Sequence, residues 1–168
     1  MKNYLKLIDT NTSGNRCDVT PLFADNAALT ALVDDITEAI SPSAFDLVAG
    51  IDALGFILGT AVAVHAEKGF IPIRKGGKLP VDVKSVSFVD YSQTEKSLEI
   101  RADLDLTGAR ILLVDEWIET ATQVNAAISL IESQGGKIAG IATISMDEND
   151  ATRALNERYQ CYQAWSKK

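Results

Sequence analysis

The sequence has few of the residues that build metal centres and disulfide bridges. Its 168 residues include two cysteines and one histidine, and the cysteines, Cys17 and Cys161, lie near opposite ends without a C-x-x-C spacing. This scarcity argues against a zinc site and against a disulfide-stabilised secreted domain. We therefore expect reduced thiols and a cytoplasmic location.

The sequence also lacks an excess of positive charge and any long apolar run. It has 16 Lys and Arg residues against 23 Asp and Glu residues, a formal net charge of −7, which argues against general binding to nucleic acid or to an anionic membrane surface. The longest apolar stretch, FILGTAVAVHA, is too short to cross a bilayer, and the N-terminus, MKNYLKLIDT, has no signal-peptide core. We expect no nucleic-acid or membrane partner, although clustered Lys and Arg side chains can still bind a small anion.

The composition is that of a globular domain. With 46% hydrophobic residues, a chain of 168 residues fits a single domain over 1–168 with a sizeable core. Turn residues separate apolar segments of strand character from segments of helical periodicity. The predicted strands are 45–51, 70–74, 109–116 and 137–146, and the predicted helices are 26–40, 53–68 and 122–134. This alternation predicts an α/β fold with a central, mostly parallel sheet flanked by helices.

One segment does not follow this alternation. Residues 75–97, KGGKLPVDVKSVSFVDYSQTEKS, are polar and rich in turn formers. Long irregular segments in compact domains are usually functional or mobile, so we expect a flexible loop here.

The stretch ILLVDEWIETATQ, residues 111–123, places two acids where a buried strand is expected to end. Asp115 and Glu116 follow four apolar residues, and Glu119 follows three positions later. Ligands of open α/β sheets bind at the carboxyl ends of the strands, which makes this pair a candidate binding site. Adjacent acids also commonly precede a helix or face solvent, so the residues alone leave both interpretations open.

Four segments in order resemble the type I phosphoribosyltransferases, and among them the adenine phosphoribosyltransferases. They are LVAGIDALGFILG, GFIPIRKGGKLP, DYSQTEKSLEI and ILLVDEWIETATQVNAAISLIESQGGKIAG, and the resemblance runs from DVTPLFADNAALTALVDDI to about Met146. Such enzymes transfer ribose 5-phosphate from phosphoribosyl pyrophosphate (PRPP) to a purine nitrogen and release pyrophosphate. The resemblance implies that fold, with a small hood over about residues 1–24 and a flexible catalytic loop over about 75–97.

The resemblance assigns roles to charged residues. Asp115 and Glu116 would accept hydrogen bonds from the ribose hydroxyls, and Arg74 and Lys75 would bind the pyrophosphate, with Lys78 adding charge. An ordinary solvated basic turn is the alternative for the Arg and Lys residues. Magnesium would be held chiefly through PRPP, with Asp115 as the protein group that can contact it, and the chain would form a homodimer.

The catalytic residues implied by the resemblance are Asp90, Tyr91 and Glu119. Asp90-Tyr91 falls where adenine phosphoribosyltransferases carry Glu-Tyr in a loop that closes over the reacting centre, and Asp is one methylene shorter than Glu. A surface loop with incidental acids is the alternative. Hypoxanthine-type relatives carry an acid at the position of Glu119, which suggests an acid/base or base-contacting role; a solvated acid at a helix start is again the alternative.

Three departures from the family pattern fall on ligand contacts. The phosphate loop, usually A-T-G-G-T, is replaced by Glu119, Thr120, Ala121, Thr122 and Gln123, so the glycines that let backbone N–H groups approach the 5′-phosphate are absent. Leu54 replaces an arginine that helps to bind the phosphates. The hood, often F-[RK]-D-I-T-P, reads RCDVTP from Arg16.

These features leave two functions open. The first is a purine phosphoribosyltransferase of nucleotide salvage, adenine-type, that uses PRPP and magnesium. The second is a catalytically impaired relative that binds a purine or nucleotide and acts as a binding or regulatory protein.

Overall fold

A seven-stranded sheet forms the centre of the protein in a computed structural model that describes residues 2–13, 16–89 and 94–166. The strand order is β3-β4-β2-β1-β5-β6-β7. The strands are β1 (Leu47–Ile51), β2 (Gly69–Lys75), β3 (Val83–Val89), β4 (Glu95–Arg101), β5 (Arg110–Ile118), β6 (Lys137–Met146) and β7 (Cys161–Gln163). Strands β2, β1, β5, β6 and β7 are neighbours in that order and are parallel. Strands β3 and β4 form an antiparallel hairpin at one edge of the sheet. The predicted α/β fold with a mostly parallel sheet is confirmed.

Five α-helices accompany the sheet in the described ranges. They are α1 (Thr20–Ala24), α2 (Asn26–Ala39), α3 (Leu54–His65), α4 (Thr122–Ser133) and α5 (Asp150–Arg158), and short 3-10 helices cover Asn3–Leu7 and Pro42–Ala44. Buried residues of α2 and α3 share one hydrophobic cluster with Leu112, and buried residues of α4 share a second cluster with Leu113. Since successive residues of a strand point to opposite faces, these clusters lie on the two faces of the sheet. None of the helices in this part of the chain is long and apolar enough to span a bilayer.

Local sequence explains where two of the helices begin. The Asp25 side chain accepts a hydrogen bond from the N–H of Ala28 at 2.9 Å, which caps α2. Asn149 caps α5 by accepting from the N–H groups of Ala151 and Thr152, and the Thr152 hydroxyl accepts from the N–H of Asn149 in return.

Strand β5 is longer than the sequence predicted. It continues to Ile118, two residues past the predicted end at Glu116, so Asp115 and Glu116 lie within the strand and not at its end. Residue Asp115 pairs with Thr143 of β6, and Trp117 pairs with Ser145, which extends the ladder past the two acids. Because β6 continues equally far, the parallel pairing holds the acids on rigid backbone.

Part of the segment 75–97, for which the sequence predicted an irregular flexible loop, forms regular strands. Strand β3 covers Val83–Val89, and β4 begins at Glu95. Exposure alternates along β3, with Val86 and Phe88 packed against the second cluster and serines between them on the other face. This alternation with a period of two is typical of a half-buried edge strand. Because the exposed face carries polar residues, the composition of the segment is like that of a loop.

Candidate active site

A cavity of about 220 Å³ opens at the carboxyl end of β5, where α4 begins. Its walls come from β2, β3, β4, β5, the β5–α4 loop and the N-terminal segment. The lining residues are Arg16, Lys75, Phe88, Lys96, Ser97, Asp115, Trp117, Ile118, Glu119, Thr120, Ala121, Thr122, Gln123 and Val124. The position agrees with the general rule that ligands of open α/β sheets bind at strand carboxyl ends.

The two acids of β5 differ in their surroundings. Asp115 is 5% exposed, and its Oδ1 accepts a hydrogen bond from the N–H of Glu116 at 2.9 Å. A Cβ at Gly55 would lie 2.8 Å from the Val114 carbonyl oxygen and 3.2 Å from Asp115 Oδ1, so this glycine allows the start of α3 to close over the acid. Burial, followed by the charge of Glu116, raises the pKa of Asp115 well above its usual range. Burial therefore favours the neutral form of this carboxyl more than solvent would.

The β5–α4 loop keeps a glycine-like backbone although it has no glycine. Ala121 has φ 59° and ψ −6°, in the left-handed region that glycine adopts freely and alanine rarely does. Ala121 also provides no side-chain cap to α4, and the N–H groups of a first helical turn have no partner within the helix. The Thr120 and Thr122 hydroxyl oxygens lie 3.1 Å apart beside this turn. The loop therefore offers amides, hydroxyls and the positive end of a helix dipole to an anion.

Two residues outside the loop fix Glu119. The side-chain amide of Asn149 donates to the Glu119 carbonyl oxygen at 2.6 Å, which ties the loop to the start of α5. Arg16 Nη2 donates to Glu119 Oε2 at 3.1 Å, and Arg16 Nη1 lies 3.6 Å from Glu116 Oε1. Burial opposes the charged form of Arg16, but the hydrogen bond to Glu119 and the nearby carboxylates outweigh it and raise the pKa of Arg16.

The three basic residues predicted to bind pyrophosphate, Arg74, Lys75 and Lys78, do not lie together in the structure. Lys75, at the end of β2, lines the cavity. Arg74 Nε lies 3.8 Å from Asp52 Oδ2, and Arg74 Nη1 donates to the Lys78 carbonyl oxygen at 3.2 Å. Lys78 is exposed and does not line the cavity. The structure therefore brings one of the three cations to the acids.

The turn after β2 closes on a carboxylate of β4. Glu99, which is 4% exposed, accepts hydrogen bonds from the N–H groups of Gly77, Lys78 and Leu79 at 2.8, 2.7 and 2.6 Å. Burial opposes ionisation, but these three donors outweigh it and lower the pKa of Glu99. The basic turn is thus held by an internal anion on rigid strand backbone.

Sequence reasoning did not identify all of the residues at the cavity. Trp117 and Lys96 line it, Asn149 holds its loop, and Arg16 was noted as a departure from the hood pattern without a site role. Asp90 and Tyr91 lie outside the described residues. Within residues 2–13, 16–89 and 94–166, no group of three or more His, Cys, Asp or Glu side chains is arranged to hold a metal ion.

Comparison with known proteins agrees with this geometry. Residues 23–166 match the phosphoribosyl transferase domain family. An adenine phosphoribosyltransferase of Pseudothermotoga lettingae is 41% identical over 123 residues, which are 73% of this chain and 72% of that protein. An adenine phosphoribosyltransferase of Cereibacter sphaeroides is 43% identical over 128 residues, which are 76% of this chain and 71% of that protein.

Solved structures give the same result for the fold. The crystal structure of adenine phosphoribosyltransferase from Thermoanaerobacter pseudethanolicus matches with a TM-score of 0.87 and 27% identity, covering 97% of both chains. The Giardia lamblia enzyme complexed with 9-deazaadenine matches with a TM-score of 0.87 and 27% identity, covering 98% of this chain and 96% of that one. The family match covers most of the chain, and the relatives exceed 40% identity over about three quarters of it. The chain therefore belongs to the phosphoribosyltransferase family.

Proposed function

We propose that the protein is an adenine phosphoribosyltransferase, which transfers ribose 5-phosphate from PRPP to adenine and releases pyrophosphate. The observation that carries this proposal is the cavity shared by Asp115, the β5–α4 loop and Lys75. These groups match the three parts of PRPP: a sugar diol, a 5′-phosphate and a pyrophosphate. The names of the relatives support adenine as the base.

The residues suit the charge changes of this reaction. As the base nitrogen attacks C1 of the ribose, the C1–oxygen bond to pyrophosphate breaks, and negative charge grows on the leaving group. Lys75 lies where it can stabilise that charge. Asp115, which lines the cavity, and Glu116, its neighbour on β5 that is not among the lining residues, hold the ribose hydroxyls so that C1 stays in line. The amides at the start of α4 and the hydroxyls of Thr120 and Thr122 bind the 5′-phosphate.

Magnesium fits this proposal as a companion of PRPP. When bound, the ion would neutralise pyrophosphate charge, and Asp115 is the protein carboxyl at the cavity that would contact the bound complex. The protein's own contribution is to orient the sugar and exclude water.

Three further assignments belong to the proposal. The catalytic roles that the resemblance gives to Asp90, Tyr91 and Glu119 belong to it, and Asp90 and Tyr91 lie outside the described residues; Arg74 and Lys78 support the pyrophosphate subsite by shaping the turn after β2. The protein works as a homodimer, which the exposed apolar side chains of Ile57 and Val64 on α3 support. A cytoplasmic setting is supported by the free thiols of Cys17 and Cys161.

The proposal is tested by nucleotide formation from PRPP and magnesium with adenine, guanine, hypoxanthine and xanthine, each product separated by chromatography. We expect AMP from adenine and much less nucleotide from the other bases. The variant Asp115→Asn/Glu116→Gln should lose nucleotide formation while its circular dichroism spectrum is unchanged, because it keeps the shape of both side chains. Wild-type protein that binds AMP but forms no nucleotide from any base would favour the nucleotide-binding relative instead.

A further inference from the structure

An arginine from the N-terminal segment lies over the loop that faces the phosphate subsite. Arg16 reaches Glu119 at 3.1 Å and Glu116 at 3.6 Å, and it lines the cavity with Thr120 and Thr122. Its side chain is 49% exposed, whereas those of Glu116 and Glu119 are 14% and 18% exposed. The two carboxylates thus hold a half-exposed guanidinium at a fixed place on the cavity wall.

The charge of this wall poses a problem for an anionic ligand. Glu119 lies two positions before the turn at Ala121, and Glu116 shares its contact with Arg16, so a phosphate dianion would meet carboxylates there. Arg16 is the cation within ion-pair distance of both acids among the described residues. A guanidinium has five N–H donors, and one hydrogen bond to Glu119 leaves others for a ligand oxygen.

Building on the function proposed above, we infer that Arg16 is a binding residue of the 5′-phosphate subsite. Its positive charge offsets that of Glu119, and its free N–H groups donate hydrogen bonds to the phosphate. A phosphate can therefore bind beside a loop that contains a glutamate. Leu54 leaves the start of α3 without a cation, and Arg16 supplies a positive charge to the cavity from the N-terminal segment. The ligand class is a phosphate monoester of a nucleoside, and adenosine, which lacks that phosphate, should be indifferent to Arg16.

The experiment compares AMP with adenosine by calorimetric titration of wild type, Arg16→Gln, Glu119→Gln and the double variant. Arg16→Gln should weaken AMP binding at least tenfold and change adenosine binding by less than about threefold. Adding Glu119→Gln to Arg16→Gln should recover only part of the lost AMP affinity, because it removes the repulsion by the carboxylate but does not replace the guanidinium donors. Arg101→Gln removes an equal charge from an exposed pair with Asp103 and should change neither affinity.

Several results would overturn the inference. Unchanged or tighter AMP binding by Arg16→Gln would mean that the arginine does not serve the phosphate or instead blocks the cavity. Equal losses for AMP and adenosine would reduce Arg16 to holding the N-terminal segment in place. If Arg16→Gln does not fold, Arg16→Lys is tested instead, because it keeps the positive charge but lacks the planar guanidinium. A more than tenfold loss of affinity for both AMP and adenosine would then contradict a phosphate-specific role.

The inference and the proposed function can fail separately. An AMP affinity that depends on Arg16 in a protein that forms no nucleotide would sink the proposed function alone. If the protein forms nucleotide but Arg16→Gln leaves the ratio of AMP affinity to adenosine affinity unchanged, this inference alone is contradicted.

Discussion

At the scale of the residue, Ala121 shows how the proposed phosphate loop can lack glycine and still adopt a left-handed turn. A left-handed backbone costs a non-glycine residue about 1–2 kcal/mol. Replacing it with glycine would recover that cost, but would add about 0.5–1 kcal/mol of backbone entropy and remove a buried methyl group worth about 0.8 kcal/mol. Ala121 is 2% exposed, so its methyl group packs in the core and offsets part of the strain.

These magnitudes predict that Ala121→Gly changes the free energy of unfolding by less than about 0.5 kcal/mol, because gains and losses nearly cancel. Ala127→Gly is the matched control: Ala127 is 0% exposed in the interior of α4, where the same substitution should cost about 2 kcal/mol. Urea denaturation of both variants measures the difference. Equal losses would mean that Ala121 does not adopt the left-handed conformation in solution.

At the scale of the element, the turn between β2 and β3 depends on Glu99. Three N–H groups of the turn converge on a carboxylate that strand β4 presents from the core. This anion holds the backbone that follows Lys75, so under the proposed function it would position the residues that bind pyrophosphate. The turn is therefore built into the sheet and does not depend on a bound ligand for its shape.

Glu99→Gln should lower the free energy of unfolding at neutral pH by about 2 kcal/mol, because an amide oxygen accepts more weakly than a carboxylate and the amide adds donors that face N–H groups. The folded-state pKa of Glu99 is lowered, so its contribution is complete above the unfolded-state pKa and is lost as the pH falls through the folded-state pKa. The difference between wild type and variant should shrink on acidification. Glu95→Gln, on the exposed start of β4, is the control; a difference that is the same at every pH would rule out this role.

The elements differ in how far the sequence predicts them. Strands β1, β2, β5 and β6 are apolar and separated by turn residues, so local pattern finds them and their carboxyl ends, including Asp115. Strands β3 and β4 were missed because an edge hairpin alternates polar with apolar residues. The Arg16–Glu119 contact spans 103 positions, and no local spacing could reveal it. The sequence around Arg74 does not indicate that its side chain contacts Asp52. Alanine rarely adopts a left-handed backbone, so the sequence also gives no sign of the conformation of Ala121.

At the scale of the whole molecule, helix α3 presents apolar surface on its outer side. Ile57 is 47% exposed and Val64 is 73% exposed, and they lie seven positions apart on one face of the helix. The other face of α3 is buried against the sheet. An apolar outer stripe of this kind supports the proposed homodimer, whose interface would include the outer face of α3.

Light scattering at micromolar concentration should give a mass near twice the chain's 18.1 kDa. Ile57→Asp should shift the mass toward that of one chain, because a desolvated carboxylate opposes association. Val83→Asp introduces the same charge at a 37% exposed position on the edge strand and should leave the dimer intact. A wild type that remains monomeric would contradict the proposed assembly.

The central claim is that the loop of residues 119–123 still binds a 5′-phosphate through backbone amides at the start of α4. The most direct measurement is a titration of ¹⁵N-labelled protein with AMP and, separately, with adenosine, followed through the amide resonances of residues 122–124. Charge-assisted hydrogen bonds to phosphate should move these amide protons strongly downfield with AMP and only slightly with adenosine. Resonances that AMP leaves in place, or that both ligands move equally, would contradict the account.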